Sequence, residues 1–145
     1  MTAVQITPTP VPAALRAALD RIADALAAMF TGDPAPYAAL WAPGARPTLF
    51  GAWGPTEKGH DAVVRTFTWV ASRFSDGDPC HPRYEVVDCS GDLAHTGGVR
   101  GGPGPGGRRL PSPMTLRVTH VLRRVGGEWR LVHRHADYPS VDPRR

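Results

Sequence analysis

Apolar residues recur with a helical period over the first half of the chain and with a strand period over its last third. Leu15, Leu19, Ile22, Leu26 and Met29 stand four and three positions apart, the single stripe of an amphipathic helix that opens at Pro12 and stops at Gly32. Asp33-Pro34 supplies a cap followed by proline, predicting a short second helix through Tyr37 and Leu40 to Trp41, which the sequence APG at 42–44 ends. Thr48 to Phe50 predicts a short strand, and the turn-rich GAWGPTEKG leads from it into a third helix. That helix runs from about His60 to Phe74, with Val63, Phe67, Val70 and Phe74 as its buried stripe. Beyond SDGDP at 75–79 the period becomes two, giving strands Arg83–Cys89, Leu93–Arg100, Met114–Val125 and Glu128–Asp137. Three helices followed by an antiparallel sheet make an α+β domain.

The last two strands permit a sharper deduction. Gly126-Gly127 is a two-residue loop suited to a primed turn, which places Val125 opposite Glu128 and Arg124 opposite Trp129. Carrying that parity along the hairpin puts Leu116, Val118, His120, Leu122, Trp129, Leu131, His133, His135 and Asp137 on one face. Arg117, Thr119, Val121, Arg123, Arg130, Val132 and Arg134 fall on the other. The apolar face should turn toward the helices, bringing the histidines with it, His120 directly across from His133. A polar group on such a face must find a hydrogen bond or a cavity, since leaving it unpaired costs about 1–3 kcal/mol. The arginine face is then wet, or pairs with a second copy through Val121 and Val132.

Composition narrows the classes. The chain has 145 residues, enough for one core, so we expect an arm at 1–11, a domain at 12–140 and a tail at 141–145. The net charge of +4 rests on sixteen arginines and one lysine, Lys58, scattered without interleaved aromatics, which argues against nucleic acid. No apolar run has the roughly 18 residues of a membrane span, and MTAVQITPTPVP has no signal-peptide pattern, so a cytoplasmic location is expected. Cys80 and Cys89 lack a CxxC spacing and are expected to be free thiols. The stretch GGPGPGGRRLPSP at 101–113 has G-x-G spacings, but a strand rather than a helix follows it, so it is expected to be a hairpin connection and not a phosphate loop.

The stretches FGAWGPTEKG, SGDLAHT, MTLRVTHVLRR and GEWRLVHRHAD resemble the SnoaL-like, nuclear-transport-factor-2-like superfamily, over roughly residues 12–140. The resemblance implies a cone, a curved sheet wrapped around a helix-closed pocket, often paired through the outer sheet face, and chemistry that needs no cofactor. It names no activity, because one scaffold hosts unrelated functions. Against ketosteroid isomerases of that superfamily, the position of the general-base Asp falls on Phe50 and no tyrosine precedes Tyr37. The position of the protonated Asp in the oxyanion hole falls near His120. Polyketide cyclases place an acid/base carboxylate in the region of His135 and Asp137.

These observations converge on one expected site. As a cofactor-independent isomerase, cyclase or dehydratase, the chain would use His135, helped by His133 and Asp137, to move a proton on a small, largely apolar carbonyl compound while His120 stabilises the developing oxyanion. Tyr37, Trp41, Phe50 and Trp53 would line the pocket, and Arg100 would hold an anionic group. Trp69 and Trp129 are expected in the core, and His60, His81 and His95 at the surface or in loops. Two alternatives stay open: a binding module that holds an apolar molecule without turnover, and a metal held by His120, His133 and His135.

Overall fold

The structure is a computed structural model that describes residues 10–74, 83–102 and 114–139 together with Arg144. Most of the N-terminal arm and of the 101–113 connection, Cys80, His81 and the end of the tail lie outside the described residues, as does the side chain of Arg100. The elements run α1 (Ala13–Met29), α2 (Ala35–Ala38), β1 (Thr48–Phe50), β2 (Thr56–Lys58), α3 (His60–Ser72), β3 (Arg83–Ser90), β4 (Leu93–Gly102), β5 (Met114–Val125) and β6 (Glu128–Asp137). One six-stranded sheet has the order β2-β1-β6-β5-β4-β3, antiparallel throughout except where β1 runs parallel to β6. The fold is α+β, as the periodicities predict. Strand β2 is an addition to that expectation: three residues between Pro55 and Gly59 are too few to show a period.

The stripe of α1 is buried in full, and it packs with Tyr37, Trp41, Phe67, Leu122, Trp129 and Leu131 into one core. Each aliphatic side chain so buried contributes about 1.5–3 kcal/mol. Just ahead of the short α2, whose N-cap is Pro34, the Asp33 carboxylate accepts the Ala35 N–H at 3.1 Å. Trp129 lies in the core as expected, but Trp69 is 53% exposed. It sits off the buried stripe of α3, with the Arg73 guanidinium 5.8 Å from its ring centre.

The final hairpin begins in the expected register and then leaves it. Gly126 and Gly127 have φ of +58° and +82°, a conformation that residues with a Cβ rarely adopt, and Val125 pairs with Glu128 and Arg124 with Trp129. Leu122 pairs with Leu131. The next pair is Val121 with His133, so Val132 is the extra residue of a β-bulge. A single inserted residue reverses the parity of everything after it. Leu131 also changes neighbours here, its N–H donating to the carbonyl of Leu40 and its own carbonyl accepting from Ala42, while two residues later β1 takes over with Thr48 beside His133.

The consequence is a set of corrections. His133, His135 and Asp137 lie on the outer face of the sheet, and Arg134 and Ala136 on the inner one, where both are buried. His120 is on the inner face as expected, but opposite Arg134 rather than His133. Val121 faces His133, so the pair of opposed valines expected on the outer face does not form; Val132 itself is buried.

Candidate functional site

Between the sheet and the helices lies a pocket of about 60 Å³. Its walls are apolar: Leu49 from β1, Phe67 and Val70 from α3, Leu116 from β5 and Ala136 from β6, with Phe74 and Trp53 toward the rim. Two polar side chains reach it, Thr66 and Arg134. Thr66 is turned to the edge, its hydroxyl donating to the Glu57 carboxylate at 3.1 Å. Arg134 therefore presents the only formal charge among the described lining residues.

Arg134 is 5% exposed and His120 is 3% exposed. The Tyr37 hydroxyl and His120 Nε2 are hydrogen-bonded at 2.9 Å, and Nη1 of Arg134 donates toward both, at 3.4 Å to Tyr37 Oη and 3.5 Å to His120 Nε2. The guanidinium carbon lies 5.8 Å from the centre of the Phe67 ring. Phe67 in turn meets Tyr37 edge-on at 4.8 Å, so the aromatic that walls the pocket also holds the tyrosine in place. Helix α2, α3 and the two central strands thus converge on one buried cluster of a phenol, an imidazole and a guanidinium.

Behind His120 a second hollow of about 10 Å³ is lined by Leu26, Tyr84, Thr96 and Val118. The Tyr84 hydroxyl is buried with no hydrogen-bond partner among the described residues. Its pKa is pushed up to about 12, first by burial and then by the proximity of Tyr37 and Asp20, so it stays a neutral phenol at any physiological pH.

The expected site residues separate into two groups. His120 and Tyr37 come together at the buried cluster, and Trp53 lines the pocket. Trp41 is buried in the core beside Tyr37, with ring centres 5.9 Å apart, but does not line the pocket. Phe50, expected as a wall, is 43% exposed on the outer face, because it pairs with His135 in the parallel β1–β6 ladder while Leu49 takes the inner side. There it meets His133 and His135 edge-on at 5.2 and 5.7 Å. His133 Nδ1 shares a hydrogen bond of 2.7 Å with the Thr48 hydroxyl. Its pKa is lowered from the ordinary imidazole value, mainly by partial burial and then by His135, with Thr48 opposing. Asp137 forms a two-pronged ion pair with Arg117 at 2.9 Å for each contact, which holds its carboxyl below the usual range.

A metal shared by His120, His133 and His135 is incompatible with this geometry, since the first imidazole lies inside the sheet and the other two outside. Among the described residues no group of three potential ligands converges elsewhere. Nor is any described helix long and apolar enough to cross a membrane.

Sequence reasoning missed Arg134, and a signal for it existed. Leu131 and Val132 are adjacent apolar residues in a strand that otherwise alternates, and Ala136 continues the apolar parity of Val132 and not that of Leu131. That stumble marks the bulge and assigns Arg134 to the inner face.

The sequence profile of the SnoaL-like domain matches residues 16–140. The chain belongs to the SnoaL-like domain family. No curated protein sequence matches it. Solved structures place this SnoaL-like domain in the NTF2-like fold. An NTF2-like protein of unknown function from Pseudomonas putida KT2440 superposes with a TM-score of 0.69 at 21% identity, over 90% of this chain and 89% of that one. A Streptomyces avermitilis protein of the NTF2-like family, provisionally named a dehydratase, gives 0.69 at 18% identity over 88% and 95%. A Thiobacillus denitrificans protein, provisionally named a calcium/calmodulin-dependent protein kinase type II association domain, gives 0.71 at 19% identity over 94% and 99%. At these identities the likeness is one of fold alone.

Proposed function

We propose that this SnoaL-like domain is a small-molecule enzyme of the general acid/base kind, acting without a cofactor on a small, largely apolar compound whose oxygen-bearing head is directed at Arg134. One observation carries the reading: a buried guanidinium facing an apolar pocket, backed by a phenol and an imidazole in hydrogen-bond contact with each other. Arginine stays protonated in proteins, so its part is to draw and stabilise negative charge on the ligand oxygen. Tyr37 and His120 are the groups beside it that can hold and pass a proton. In this reading the isomerase, cyclase or dehydratase chemistry expected from His133, His135 and Asp137 moves to the inner cluster. Those three outer residues take no part in it.

A second reading, a binding module without turnover, is favoured by a specific feature. The described lining of the pocket includes no carboxylate, imidazole or phenol, so a bound molecule touches Arg134 before it touches a proton carrier. The two readings separate in deuterium oxide. Exchange at the carbon next to the carbonyl of small ketones and acids, followed by proton NMR, should exceed the buffer rate with the wild-type chain. It should fall at least tenfold with His120→Gln. Ligands that bind without exchange in either protein would leave the binding module.

A further inference from the structure

Burying a cation is expensive unless a counter-charge accompanies it, and the usual partner is a carboxylate on a neighbouring element. Arg134 has none: among the described residues no carboxylate reaches its guanidinium. Its contacts are two long ones, both through Nη1 and both to uncharged partners or an imidazole, with the Phe67 ring at 5.8 Å. Three surface arginines of the same hairpin show the contrast, with Arg117 on Asp137, Arg124 on Asp92 and Arg130 on Glu128. Of the hairpin's arginines, Arg123 and Arg134 have no ion pair among the described residues, and of these two only Arg134 is buried with its side chain facing the cavity.

The shape of the cavity narrows the anion that would complete the pair. Guanidinium matches a carboxylate through two parallel N–H donors, a planar fit that a lone charge such as lysine would not give. A phosphate or a dicarboxylate brings a second charge, for which the lining offers only Thr66. The remaining walls are hydrocarbon and aromatic. A space of about 60 Å³ holds roughly four to six water-sized atoms, at about 10–15 Å³ each. That excludes a steroid or a fused polyketide in this state of the pocket and fits a short chain.

We infer that the ligand is a small apolar monocarboxylic acid, its carboxylate paired with Arg134 and its hydrocarbon lying against Leu49, Val70, Leu116 and Ala136. This rests on the reading of the pocket as the functional site and adds the charge and size class of what enters it. The protein keeps Arg134 buried and unpaired because the counter-ion arrives with the ligand. Tyr37 and His120 are positioning residues in this respect, fixing Nη1 so that the rest of the guanidinium fork faces the cavity.

The test compares an acid with its uncharged isostere. Butanoate and butanamide are titrated into the full-length wild-type chain by calorimetry near neutral pH, and then into Arg134→Met and Ala136→Leu, with circular dichroism confirming that each variant is folded. Butanoate should bind at least tenfold more tightly than butanamide. The preference should vanish in Arg134→Met, while Ala136→Leu, which fills the cavity and leaves the charge, should weaken both. Equal affinity of acid and amide for the wild-type chain would overturn the inference, and that comparison needs no variant to fold. So would a preference that survives the loss of Arg134, or butanoate binding that Ala136→Leu leaves unchanged. Deuterium exchange on neutral ketones would still stand in those cases, so the carboxylate inference and the enzyme reading fail separately.

Discussion

Nη1 of Arg134 lies 3.5 Å from Nε2 of His120, and the two residues face each other across β5 and β6 on the inner side of the sheet. Val132 bulges out of the ladder ahead of this pair, so taking that residue out should leave the pairing in place. Deleting Val132 would join Leu131 directly to His133, opposite Leu122 and Val121, so Arg134 and Ala136 stay inside and His133 and His135 outside. What is lost is the burial of Val132 itself, about 1.5–3 kcal/mol, read as a lower urea midpoint. A folded deletion variant that no longer prefers butanoate to butanamide would show that Arg134 has left the inner face.

The Tyr37–His120 contact is a hydrogen bond between two buried side chains, so its loss removes the shorter of the two contacts at Nε2 and leaves the long one from Arg134. Tyr37→Phe keeps the ring against Phe67 and Trp41 and removes only the oxygen. Expected is a destabilisation of about 1–3 kcal/mol in urea unfolding, together with weaker ligand binding as Arg134 loses one of its two fixed neighbours. Tyr84→Phe is the matched control. Its hydroxyl is buried without a described partner, so that substitution should be neutral or slightly stabilising.

The fold was legible in the sequence because its signals are local and repeated. The stripe from Leu15 to Met29 and the Gly126-Gly127 turn each state their own geometry, and several such elements in this order leave few architectures. Of the site, His120, Tyr37 and Trp53 were legible, His120 because the extra residue lies in β6, so that parity along β5 still holds. His133, His135, Asp137 and Arg134 all lie beyond Val132, and one displaced residue inverted all four. Phe50 was misplaced for a related reason. A three-residue strand has no period of its own, and its facing is set by a parallel partner more than eighty residues away.

Trp53 closes the rim of the pocket from the β1–β2 turn, where Gly54 has a φ of +102°. Its indole N–H donates to the Tyr138 hydroxyl at 2.6 Å, tying that turn to the end of β6, and its ring stacks near Phe74 with centres 6.2 Å apart. Tyr138→Phe removes the tie and keeps both rings. Because the bond is exposed, stability should change by less than about 1 kcal/mol, whereas a bound ligand should dissociate several-fold faster in stopped-flow measurements. Unchanged dissociation would mean that the turn does not gate the pocket.

On the outer face, His133 carries a pH dependence whose sign follows from its lowered pKa. The unfolded chain binds a proton at this position more readily than the folded one does. The contribution is therefore present in full above about pH 6.5 and is lost as the pH falls through the lower folded value. His133 is only partly buried, and solvent screening limits the effect to no more than about 1 kcal/mol. His133→Asn removes the titration while keeping a polar atom within reach of the Thr48 hydroxyl. Urea midpoints measured between pH 7.5 and 5 should fall less steeply for this variant than for the wild type. Parallel slopes would place the acid sensitivity on other groups. The Arg117–Asp137 pair does not confuse the comparison, because the lowered Asp137 carboxyl takes up its proton only below the usual carboxylate range.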